Sequence, residues 1–159
     1  MRWQRWSAVA LWSVILMIVM STPAGAARPA AYVGEMCWRF VDAGLPMEYS
    51  IGTFGLSHEG DGHVSINGRV TGFESGVEVS TEVVSGSAEQ IGGELIMNLS
   101  IIDDGDGEFV HTAAKVRLDA ATLDGTFRAM TIGVSPDGSQ YGPVLDQGTA
   151  EHLPGCVFP

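Results

Sequence analysis

The segment His58-Glu59-Gly60-Asp61-Gly62-His63 sets two imidazoles and two carboxylates across a tight reversal, and such a set could converge on a divalent transition metal. The same residue types are ordinary in solvated turns, and Gly-Asp-Gly is turn chemistry in its own right. The segment therefore reads as a hairpin loop, with no metal site assigned. Asp103-Asp104-Gly105-Asp106-Gly107-Glu108 spaces carboxylates as calcium loops do, because hard cations take several oxygen ligands from a tightly turned backbone. Phe109 stands where an EF-hand loop needs its glycine, and no helical pattern flanks the segment, so a long acidic hairpin loop is expected there. His58, His63, His111 and His152, with the many carboxylates, would permit a catalytic triad on paper, but permissive composition is not geometry. No Gly-x-Ser-x-Gly elbow and no phosphate-cradling glycine loop ahead of a helix is found, so no catalytic residue, no cofactor and no enzymatic activity is assigned.

These residues must be positioned by strands, because the apolar periodicity is two. Val64, Ile66, Gly68 and Val70 alternate with Ser65, Asn67 and Arg69, and Val77, Val79, Thr81 and Val83 alternate with Glu78, Ser80 and Glu82. Leu95, Met97, Leu99 and Ile101 repeat the period against Asn98 and Ser100, and Val110 to Leu118 carries it on opposite His111, Lys115 and Arg117. Turn signals separate the runs, giving about eight strands at 35–42, 48–58, 63–73, 77–85, 93–102, 108–118, 123–134 and 147–153. The short, even spacing predicts an all-β, antiparallel up-and-down meander closed into a barrel, which removes exposed sheet edges; a β-sandwich is the alternative. The alternation places Val64, Ile66, Val70, Val77, Val79, Leu95, Met97, Leu99, Val116 and Phe127 inside, with Glu78, Glu82, Asn98 and Lys115 in water.

The chain opens with Arg2 and Arg5, an uncharged apolar run from Ala8 to Met20, and the small residues Ala24-Gly25-Ala26. That is the pattern of a secretory signal peptide over 1–26, leaving a single domain over 27–159 in the periplasm or the medium. In such an oxidising compartment the two cysteines, Cys37 and Cys156, are expected to bond to each other, and a meander barrel makes the strands that carry them neighbours. Nineteen acidic residues face eight lysines and arginines, for a net charge of −11, and removing Arg2 and Arg5 with the leader deepens the imbalance. So acidic a domain repels phosphate backbones and anionic headgroups, which argues against nucleic acid and against a membrane partner once the leader is cleaved. The sequence identifies no protein partner.

Trp38, Phe40, Phe54 and Phe127 could line a cavity for a small apolar ligand, or could equally fill the interior, since eight strands leave just enough room for either. Gly34-Glu35-Met36-Cys37-Trp38 on the first strand, the glycine-punctuated meander and the late Leu123-Asp124-Gly125-Thr126-Phe127 strand resemble the calycin barrels, the lipocalins and avidin-like proteins. The resemblance lies in architecture: the lipocalin Gly-x-Trp pattern is absent, and only Trp38 remains after leader removal. It implies an eight-stranded barrel carrying a small apolar ligand, as a non-enzymatic protein. The other reading is a packed β-domain that acts as an interaction or structural module.

Overall fold

A computed structural model describes residues 31–45, 47–59, 63–103 and 108–156; the proposed leader, and the centres of the two acidic loops at 60–62 and 104–107, lie outside the described residues. Eight strands follow one another: β1 (Ala31–Asp42), β2 (Glu48–His58), β3 (His63–Glu74), β4 (Val77–Ile91), β5 (Glu94–Asp103), β6 (Phe109–Asp119), β7 (Gly125–Val134) and β8 (Gln140–Leu153). Each pairs antiparallel with the next, and β8 returns to β1, so the sheet is a closed barrel without a free edge. Three strands run longer than the alternation indicates, β1 among them, which begins at Ala31. β4 continues to Ile91 and β8 begins at Gln140, where Gly142 and Pro143 interrupt the apolar pattern without ending the pairing with β7. Among the described residues no helix is long and apolar enough to cross a membrane.

The two ends of the barrel differ. At one end Trp38, Phe54, Ile66, Met97, Val84, Val116 and Leu118 are fully buried and fill the interior. The turn between β6 and β7 folds over that end: Trp38 Nε1 donates to the Leu123 carbonyl at 2.9 Å, and Leu123 is held at φ 64°, a conformation costly for a branched apolar residue. Its neighbours fix it there. Asp119 Oδ1 accepts the amides of Ala121 and Thr122 at 2.8 and 3.0 Å, and Asp124 Oδ1 accepts the His152 amide at 2.8 Å. Beside this end Cys37 and Cys156 form a disulfide across a separation of 119 residues, tying β1 to the short 3-10 turn Pro154–Cys156 that follows β8.

The register of β4 differs from the sequence expectation. Val77 and Val79, expected inside, are 65% and 55% exposed, while Glu82, expected in water, is drawn inward with Val84 and Ala88. The pairing explains why. Gly86 stands between Ile66 on β3 and Leu99 on β5, and Ala88 between Val64 and Met97, so the small residues of β4 give way to large side chains on both neighbours. A Cβ added at Gly86 would overlap the Asn98 carbonyl oxygen. With Gly86 and Ala88 inward, the period of two carries Val84 and Glu82 inward as well. Near the turn the register with β3 shifts between Gly72 and Phe73, making Val79 the extra residue of a bulge and leaving Val77 and Val79 at the rim. On the other strands Ile66, Val70, Met97, Leu99 and Val116 are buried, Val64, Leu95 and Phe127 are half-buried, and Asn98 and Lys115 are exposed, as the alternation indicates; on β4 itself Glu78 is exposed as expected.

Candidate functional site

The other end of the barrel is open, and the reason lies in side-chain size. Toward the end of the barrel where β1 and β3 finish, the lining residues become small or polar, with Ser50, Gly72, Thr112, Ala114 and Thr131 replacing the large residues of the packed end. They leave a cup of about 370 Å³. Its floor and lower wall are Val70, Leu99, Val116, Ala114, Phe40 and Phe127, and its upper wall and rim carry Asp42, Glu48, Glu74, Glu82 and Asp146.

The four aromatic residues singled out from the sequence form one connected column. Trp38 stacks on Phe54 with centroids 5.8 Å apart, Phe54 meets Phe40 at 6.3 Å, and Phe40 meets Phe127 edge to face at 5.7 Å. The column crosses from packed core to cup: Trp38 and Phe54 belong to the floor beneath, while Phe40 and Phe127 line the cup itself. Phe127 lies opposite Gly148 on β8, where a Cβ would overlap the Val41 carbonyl oxygen and stand 2.8 Å from the Phe127 ring, so the glycine lets β1 and that ring both approach closely.

The carboxylates were not legible as site residues. Glu82 reads as the wet half of an alternating strand, and Asp42, Glu48, Glu74 and Asp146 read as strand ends. The closed sheet brings them to one opening. In the β2–β3 ladder Glu48 pairs directly with Glu74, like charge opposite like charge. Burial holds the Glu82 carboxyl above its ordinary pKa of 4.5; a hydrogen bond from the Ser80 hydroxyl at 3.2 Å opposes this, and the charge of Asp103 adds to it. Asp146 is likewise raised above 3.8, by burial and then by the neighbouring charge of Asp42. Among the described lining residues there is no lysine, arginine or histidine to compensate.

The histidines lie elsewhere. His58 and His63 stand at the packed end, His111 lies on the outer wall with its Nε2 2.9 Å from Ser100 Oγ, and His152 packs against Trp38 at 5.7 Å between centroids. His111 is flanked in register by Ile102 and Ile132, and Ile102 by Val83, all three well exposed on the outer wall. No group of three or more metal-ligating side chains converges among the described residues. Comparison with family models, with curated proteins and with solved structures gives no match to this chain. The relation to calycin barrels is thus one of architecture, an eight-stranded antiparallel closed barrel.

Raised carboxyl pKa values carry a definite sign for stability. Below about 4.5 Glu82 is neutral in folded and unfolded chains alike; as pH rises the unfolded chain ionises first, so stability falls through the interval up to the raised folded value and is then level. Asp146 acts in the same direction from 3.8 upward. Glu82→Gln removes the ionisation and keeps the shape. Thermal melts at pH 4 and pH 7.5 should show the variant close to the parent at the lower pH and at or above it at the higher one. Asp119 and Asp137, whose pKa values are lowered by local hydrogen bonds, act oppositely, with stability lost as pH falls below about 3.8.

Proposed function

We propose that this chain is a non-enzymatic binding protein of the periplasm or the medium that holds one small molecule with an apolar body in the open end of its barrel. The observation that carries this reading is the cup of about 370 Å³ set over a packed apolar floor. Small-molecule sites are concave, mostly apolar and about 300–1,000 Å³ in volume, and a dry cavity of about 150 Å³ already suffices for benzene. A two-ring body therefore fits, resting on Val70, Leu99 and Val116 and flanked by Phe40 and Phe127. The leader-like start of the chain and the Cys37–Cys156 disulfide support the extracytoplasmic placement. The resemblance to calycin barrels points to the same kind of role.

The test uses a neutral apolar fluorophore, N-phenyl-1-naphthylamine, titrated against the folded protein. Saturable enhancement at one probe per chain is expected, and loss of that enhancement in Ala114→Phe, which fills the cup from β6. Thr131→Phe fills it from β7 and provides an independent blockade should the first variant fold poorly; circular dichroism checks both. Undiminished probe binding in a folded, blocked variant would remove the cup as the site.

A further inference from the structure

Resting on the cup as the binding site, we infer that its natural ligand is an organic cation, an ammonium or amidinium group attached to a flat apolar body, with the charged end at the carboxylate rim and the body on the aromatic wall. Acidic residues alone would be unremarkable on so acidic a chain. What singles these out is that Asp42, Glu48, Glu74, Glu82 and Asp146 stand around one concave opening whose floor is apolar, with no cationic side chain among the described lining residues.

Three physical consequences follow. Low-dielectric walls lined by one sign of charge focus the field into the cleft, so a cation is concentrated there and an anion is repelled. A neutral apolar ligand would fill the floor, yet it would strip water from Glu82 and Asp146 and return nothing, and charge buried without a partner is expensive. An ammonium group instead supplies both the missing countercharge and hydrogen-bond donors, and relieves the repulsion that Asp103 exerts on Glu82 and Asp42 on Asp146. The aromatic faces of Phe40 and Phe127 below the rim suit the apolar body, and can also attract the cation directly. The inward turn of Glu82 is central here. A strand whose inner face supplies Gly86 and Ala88 to the packed half supplies a carboxylate to the open half, on the wall and not merely at the lip.

The experiment holds the body constant and changes the charge. 2-Naphthylmethylamine, 2-naphthylmethanol and 2-naphthoate are each used at pH 7.5 to displace N-phenyl-1-naphthylamine from the folded protein. The amine, protonated at that pH, should compete at least about tenfold more strongly than the alcohol, a difference of about 1.4 kcal/mol, with the carboxylate weakest. In the double variant Glu82→Gln, Asp146→Asn the advantage of the amine over the alcohol should shrink to about threefold or less. If the alcohol equals or exceeds the amine, the cation inference is wrong while the cup remains a site. A preference for the amine that survives the double variant intact also overturns the inference, since the selectivity would then come from general acidity. If neither N-phenyl-1-naphthylamine nor, by direct calorimetric titration, 2-naphthylmethylamine binds, the cup reading fails and the inference fails with it.

Discussion

Replacing Trp38 by alanine is expected to destabilise the protein by about 3–5 kcal/mol, as removal of a large aromatic side chain from a close-packed interior typically does. Trp38 is fully buried at the packed end, stacks on Phe54 and packs against the tilted ring of His152. The variant also loses the hydrogen bond from Nε1 to the Leu123 carbonyl, and with it one support of the positive φ at Leu123. Domains of this size are stable by only about 5–15 kcal/mol, so the loss is a large share of the whole. Urea titration should show a much lower midpoint, with Trp38→Phe intermediate because it keeps most of the volume and drops the donor. A midpoint for Trp38→Ala close to the parent's would mean that the β6–β7 turn is not seated on the indole. The floor of the cup would then need a different support.

Removing the disulfide should have an effect of comparable size. The double variant Cys37→Ala, Cys156→Ala opens a loop spanning 119 residues, and the chain-entropy account places the loss at about 4–5 kcal/mol, within the roughly 2–5 kcal/mol seen when native bridges are removed. The sheet needs no bridge to close, because β1 and β8 are already paired from Cys37 opposite Leu153 to Asp42 opposite Gly148. The expected result is therefore the same strand content by circular dichroism with a substantially lower melting temperature. Probe binding should persist below that temperature, since the cup lies at the opposite end of the barrel from the bridge. Two alkylatable thiols in the native parent would remove the bridge, and the argument from it for an oxidising compartment.

Which parts of the molecule could be read in advance depended on how far the physical cause reached along the chain. Strand periodicity is local: alternation of Val64, Ile66 and Val70 with polar neighbours, or of Leu95, Met97 and Leu99 with Asn98, is imposed by a pleat that sends successive side chains to opposite faces. Turn chemistry is local as well, which is why eight strands in antiparallel order could be expected from spacing, with a closed barrel set ahead of a β-sandwich; the closed sheet decides between the two. The pairing of Cys37 with Cys156 followed from an even count, with no alternative partner in the chain.

The parity of β4 had no local cause. Val77, Val79, Thr81 and Val83 form as convincing an apolar face as any in the chain, yet large neighbours on β3 and β5 select the small residues Gly86 and Ala88 for the inside. Because the side-chain period is two, that choice decides the place of Glu82 as well. The ring of carboxylates is likewise invisible along the sequence, since Asp42, Glu48, Glu74, Glu82 and Asp146 belong to β1, β2, β3, β4 and β8 and meet only when the sheet closes. Whether the interior was solid or hollow depended on the level along the barrel at which the small inward residues gather, a property of register between strands. The amino-acid sequence by itself determined the elements, their order and the covalent bridge, because each rests on short-range periodicity or on simple counting. Only the tertiary structure decided which face of β4 is buried and that one end of the barrel is an open, acidic, aromatic-walled cup, because both depend on side chains brought together from distant strands.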